Sequence, residues 1–87
     1  MFYTYVLLSE KDGKYYTGST KNLRVRFEQH QAGRVKSTAY RRPLTLVYYE
    51  ACRAEADARH REMYLKTTYG KMFLRKRLKS DSNRVNS

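Results

Sequence analysis

The chain has 87 residues, of which 40% are apolar, enough for one domain with one modest core. Lys and Arg outnumber Asp and Glu 19 to 8, and the resulting formal charge of +11 is self-repulsive, so it points to a polyanionic partner, nucleic acid first and an anionic membrane surface second. No stretch approaches the ~18 apolar residues of a spanning helix, the amino-terminal segment lacks the layout of a signal peptide, and Cys52 stands alone, which rules out a disulfide framework or a thiolate zinc cluster and leads us to expect a reduced, cytoplasmic protein.

Phe2 to Ser9 alternates with period two. Phe2, Thr4, Val6 and Leu8 face one way, and Tyr3, Tyr5 and Leu7 the other, as in a strand. Asp12-Gly13 is a hairpin turn signal, Lys14 to Ser19 reads as the returning strand, and Gly18 is a place where another group can come close to the backbone. Asn22 is a good N-cap for a helix running to about Gln31, which Gly33 is placed to end. Residues 34–43 form a loop in which Arg34, Lys36, Arg41 and Arg42 are interleaved with Ser37, Thr38 and Tyr40 before Pro43 closes it. Leu44 to Cys52, rich in β-branched and aromatic residues, carries the strongest strand signal. Ala54 to about Thr68 has helical spacing, with Gly70 as a break before a short helix over Lys71–Lys79. The order predicts an α+β domain, a small three-stranded, mostly antiparallel sheet flanked by helices in the sequence β-β-α-β-α-α. We expect that domain to span residues 1–79 and residues 80–87 to be a flexible tail.

Two places stand out chemically. Arg26 and His30 are four apart, share one helix face and lie beside the apolar pair Leu23 and Phe27; the ordinary alternative is a solvated basic edge. Glu62 falls between Ala58 and Leu65 on a stripe that also includes Ala54 and Tyr69. A carboxylate on a core-facing stripe should be paired, hydrogen-bonded or bound to a cation, and the ordinary alternative is a Glu62–Lys66 surface pair. Tyr5 and Tyr16 are equally readable as half-buried strand residues, while Tyr3, Tyr15, Tyr48, Tyr49 and Tyr64 are expected to pack.

Three blocks follow one another in order: Tyr3-Thr4-Tyr5 with Tyr16-Thr17-Gly18, then Asn22-Leu23-x-x-Arg26-x-x-x-His30, then Glu55-Ala56 leading to Glu62 and Leu65-Lys66. Together they resemble the GIY-YIG nuclease family from Phe2 to about Leu78, most of all its small stand-alone bacterial members. Tyr3-Thr4 replaces Gly-Ile in the first tripeptide, Ser19-Thr20 stand where some relatives place a lysine, and Thr68-Tyr69-Gly70 where DNA-repair relatives carry an asparagine. The resemblance implies a metal-dependent endonuclease that hydrolyses phosphodiester bonds with one Mg²⁺ (or Mn²⁺) and no organic cofactor. Carried onto this chain, Glu62 would hold the metal, Arg26 would neutralise charge on the phosphoryl oxygens, Tyr5 or His30 would take a proton from the attacking water, and Tyr16 would orient the phosphate. His30, ordinarily near pKa 6.5, is the easier base.

Such a stand-alone domain would bind nucleic acid, DNA before RNA, mostly through Arg34, Lys36, Arg41, Arg42, Arg75, Lys76, Arg77 and Lys79 on phosphates, with broad or structure-dependent preference. Tyr40 could stack on an unpaired base. The runner-up is a non-catalytic basic nucleic-acid-binding domain that keeps the fold, and a third reading is an adaptor for an anionic membrane or protein. Oligomeric state is left open by the sequence.

Overall fold

In a computed structural model, which describes residues 1–81, strand β1 (Phe2–Ser9) lies between β2 (Tyr15–Thr20) and β3 (Leu44–Cys52) in a three-stranded sheet of order β2-β1-β3. Both pairings are antiparallel, with Tyr5 opposite Gly18 on one side and Tyr49 on the other. The fold class and element order are those the sequence predicts. Residues 82–87 of the expected tail lie outside the described residues.

The period-two alternation of β1 becomes two packed faces. Tyr5, Leu7 and Leu44 form a core with Tyr16, Leu46 and, from helix α1 (Leu23–Gln31), Leu23 and Phe27. On the opposite face Val6 packs with Leu65 of α2 (Glu55–Leu65) and Leu74 of α3 (Thr68–Arg77). Because helices cover both faces, Thr4 to Ser9 are all buried. A register shift between Val6 and Leu7 inserts an extra residue into β3, which turns Val47 as well as Tyr48 toward the α2–α3 core.

Polar side chains fasten the connections. Ser9 Oγ accepts from the backbone N–H groups of Lys11 and Asp12 and donates to the Arg41 carbonyl at 2.7 Å. Arg41 Nε in turn donates to Asp12 at 2.9 Å. That guanidinium, followed by the Lys14 backbone N–H, holds the Asp12 carboxyl down to about 2. The hairpin and the loop ahead of β3 are thereby tied to each other. Asn22 caps α1 by accepting from the Val25 N–H at 3.1 Å, and Gly33 ends it as the sequence predicts. No described helix is long and apolar enough to cross a membrane.

The second half departs from expectation at Gly70, which does not break a helix but lies buried inside α3. Thr67 is the reason. Its hydroxyl accepts from the Gly70 N–H at 3.1 Å and so starts α3 at Thr68 instead of Lys71, while α2 stops at Leu65 rather than running to Thr68. Ala54 and Tyr69 therefore leave the α2 stripe: both are exposed. Glycine is needed at 70 for close approach, since a Cβ there would stand 2.0 Å from the Tyr64 carbonyl oxygen and 2.4 Å from Leu65 Cα. Gly70→Ala should force α3 away from α2 and lower stability by about 3 kcal/mol, a fall of more than ~10 °C in Tm for a domain of this size. An unchanged melting curve would mean the two helices can separate freely.

Candidate active site

The first two tyrosine positions and the helix pair meet on the α1 side of the sheet. Tyr5, 1% exposed, extends its ring across the neighbouring strand above Gly18, where a Cβ would lie 2.5 Å from the phenolic oxygen. Only glycine leaves room for this phenol on β2, which accounts for the closing residue of Tyr16-Thr17-Gly18. The Tyr5 hydroxyl is 2.8 Å from His30 Nε2, and His30 Nδ1 is 2.8 Å from Thr38 Oγ1. Thr38 Oγ1 donates to the Val35 carbonyl at 3.4 Å, so it accepts from His30. That places the ring proton on Nδ1 and leaves Nε2 to accept from Tyr5. His30 and Thr38 are fully buried.

Two forces set the charge states. Burial, then the Arg26 charge, pushes the His30 imidazole down to about 4, so it is neutral at physiological pH. Burial raises the Tyr5 hydroxyl above its ordinary value, and the Arg26 guanidinium works in the opposite direction. Arg26 itself is half-buried and donates from Nη1 to Gln29 Oε1 at 3.1 Å. Tyr16 stands edge-to-face on the other side of the imidazole, with centroids 5.3 Å apart. The sequence expects His30, ordinarily near pKa 6.5, to be the easier base. In the structure both ring nitrogens are engaged and no ring atom faces solvent, and Tyr5, the partner of Nε2, is itself buried.

Glu62 reaches the site from the opposite face, around the edge strand. Ser19 follows Gly18 on β2 and so faces α2, where its hydroxyl donates to Glu62 Oε1 at 2.7 Å. Lys66 Nζ donates to Oε2 at 2.8 Å. The expectation of a carboxylate that needs partners and the expectation of an i, i+4 pair are thus both met. Burial pushes the Glu62 carboxyl up, but Lys66, Ser19 and Arg59 outweigh it and hold it below the usual carboxylate range. An ionised carboxylate at a strand edge, its side chain 22% exposed, suits a hard divalent ion that takes one or two carboxylates and keeps several waters. No cluster of three or more His, Cys, Asp or Glu occurs among the described residues, so a cation needing an all-protein cage does not fit.

The basic residues divide. Arg34 and Lys36 are exposed after α1, and Arg75, Lys76, Arg77 and Lys79 at the end of the chain's last described helix. Arg41 is instead held by Asp12, its side chain 13% exposed, and Arg42 is folded over Gly33 with Nε donating to the Ala39 carbonyl at 2.8 Å. Tyr40 is 70% exposed. Beside Glu62 a groove of about 780 Å³ gathers Lys14, Lys66, Lys71 and Arg75 around Tyr15 and Tyr16, with no acid among its lining residues. The sequence reading missed Lys14, Lys66 and Lys71 as a group because they come from three elements. It missed Thr38 because no periodicity links a loop residue to a helix eight positions earlier.

The family model for the GIY-YIG catalytic domain matches residues 1–78. A UPF0213 protein of Staphylococcus haemolyticus (strain JCSC1435) is 41% identical over 66 residues, covering 75% of this chain and 79% of its own length. UPF0213 proteins of Staphylococcus aureus strains Mu50 and N315 are 42% identical over 57 residues, 64% of this chain and 70% of theirs. No solved structure matches. With the family model spanning nearly the whole described length, the chain belongs to the GIY-YIG catalytic domain family.

Proposed function

We propose that this chain is a metal-dependent DNA endonuclease, with residues 1–79 as its nuclease domain. The observation that carries the reading is the buried Tyr5–His30–Thr38 hydrogen-bond chain beside Arg26, with an ionised Glu62 across Gly18-Ser19. Bare charge complementarity to a polyanion requires none of these contacts.

In this reading the scissile phosphate rests on Arg26, whose planar guanidinium suits two phosphoryl oxygens. Water attacks phosphorus in line with the leaving sugar oxygen, giving its proton to the Tyr5 oxygen as the Tyr5 proton passes to His30 Nε2. Burial, and then the Arg26 charge, keep His30 weakly basic while the site is empty; a bound phosphate offsets the Arg26 part and raises the basicity of the imidazole when the proton arrives. Thr38 holds the ring in the accepting tautomer. Tyr16 fixes the imidazole plane and orients the phosphate. A divalent ion, Mg²⁺ or Mn²⁺, held by Glu62 would neutralise charge on the leaving oxygen. The backbone of the strand would run along the groove of Lys14, Lys66, Lys71 and Arg75, reinforced by Arg34, Lys36, Lys76, Arg77 and Lys79.

One observation favours the non-catalytic reading, a basic nucleic-acid-binding domain: both Glu62 oxygens already have protein partners. The two readings separate in cleavage of labelled single-stranded, duplex and branched DNA with Mg²⁺ or Mn²⁺. Wild type should cut, Glu62→Ala should not, and both should bind alike at equal salt; binding without cleavage by wild type on every substrate would establish the second reading. Arg26→Ala should lower the rate by about 10²–10³, by analogy with removing one oxyanion donor.

The His30 environment also predicts a pH dependence. Its folded value of about 4 lies below an unfolded value near 6.5, so between those limits the unfolded chain binds the extra proton. The stability contributed by neutral His30 is complete above pH ~6.5 and is lost as pH falls toward about 4. Imidazole NMR resonances of folded protein should stay those of the neutral Nδ1–H tautomer at pH 5.5. A His30 titration midpoint above 6 would contradict the burial we describe.

A further inference from the structure

A second cavity, about 560 Å³, opens on the same sheet face as Tyr5, and neither the proton chain nor the basic groove uses it. Tyr3 and Tyr49 line it over an apolar floor that includes Phe27 and Leu46, with exposed Lys21 and Arg24 beside them. Tyr3 is two residues before Tyr5, hence on the same face about 7 Å away along β1, and Tyr49 is the cross-strand partner of Tyr5 itself. The sequence expects both rings to pack, yet Tyr49 is 54% exposed. Their centroids are 6.1 Å apart at an interplanar angle of 60°, an edge-to-face pair, and the exposed Tyr49 ring offers surface against which a third flat ring can be laid. Lys21 and Arg24 have no ion-pair partner among the described residues.

Aromatic faces, an apolar floor and two uncommitted cations match one kind of occupant. A base inside a duplex offers only its edges, whereas an unpaired base offers a π-face for stacking and a phosphate on a flexible tether for the cations. The volume lies within the range of sites that bury small planar ligands. We infer that Tyr3 and Tyr49 form a stacking platform for an unpaired nucleobase next to the phosphate to be cut, with Lys21 and Arg24 on its backbone. The substrate class is then a strand with a single-stranded, overhanging or flap segment at the cut rather than continuous duplex. The inference rests on the nucleic-acid reading above and specifies its substrate.

The test is equilibrium binding without divalent metal, so that cleavage does not enter, at one fixed salt concentration. The probes are a fluorescent single-stranded DNA oligonucleotide, the same strand carrying 2-aminopurine, and a blunt duplex of equal length. Tyr49→Leu keeps apolar area but removes the ring, and Tyr49→Phe keeps the ring. Tyr49→Leu should bind the single strand about 5- to 150-fold more weakly, the range expected for one lost stack, and bind the duplex within twofold of wild type. Tyr49→Phe should behave as wild type, and quenching of 2-aminopurine should vanish only in the Leu variant. Equal loss on both probes, or none on either, overturns the inference. So does light scattering that shows a dimer dissociated by Tyr49→Leu, because the platform would then be the seat of a second copy. A protein that passes this binding test and never cleaves would refute the nuclease reading alone, and one that cleaves with Tyr49 irrelevant would refute only the platform.

Discussion

The hydrogen bond between the Tyr5 hydroxyl and His30 Nε2 joins the central strand to α1, and both residues are buried. A polar pair in that position stabilises the fold only if each remaining valence is also satisfied, because an unpaired buried donor or acceptor is costly. The neighbourhood follows from this condition. Thr38 must be drawn in from its loop to accept from the imidazole, the imidazole must stay neutral to accept from the phenol, and position 18 must lack a side chain so that the phenol can reach across β2. Sheet, helix and loop are thereby locked around one chain of protons.

Position in the sheet explains how residues from both faces can serve one site. β2 is an edge strand, so groups lying on opposite sides of Gly18-Ser19 are separated by one strand rather than by a closed core. Half of the eight acids, Asp12, Glu50, Glu55 and Glu62, each pair with a cation. With Glu62 held at the edge, the positive excess is left to dominate the surroundings.

Elements with strong local signals were legible in the sequence. β1 and β3 announce themselves by alternation and by β-branched and aromatic content, and α1 by Asn22 and Gly33 at its ends. The boundary between α2 and α3 was not, because Gly70 carries two meanings: the same missing side chain that breaks a helix in isolation permits two helices to touch. The tertiary contact decided between them, through Thr67. At the site, Arg26 and His30 could be picked out by their four-residue spacing and Glu62 by its place on an apolar stripe, whereas Tyr5 and Tyr16 joined them only through the resemblance to a known family. Which nitrogen of His30 faces the phenol depends on Thr38, and that is a property of loop geometry with no period to read. Likewise the basic loop reads as a row of phosphate contacts, yet Arg41 and Arg42 are occupied in holding the loop itself, Arg41 against Asp12 and Arg42 against backbone carbonyls.

The two halves of the site differ in how deeply they are built into the fold, and this bears on how such a domain can change over generations. Tyr5 and His30 belong to the interior, so a lineage that discards either must repair a hole and an orphaned polar group at once. Glu62 is a partly wet side chain at a strand edge, held by a serine and a lysine that would both find water readily. Descendants relieved of selection for cutting should therefore lose the glutamate early and keep the tyrosine–histidine pair long afterwards. A buried pair without its edge carboxylate would then be the form expected of a domain released from that selection.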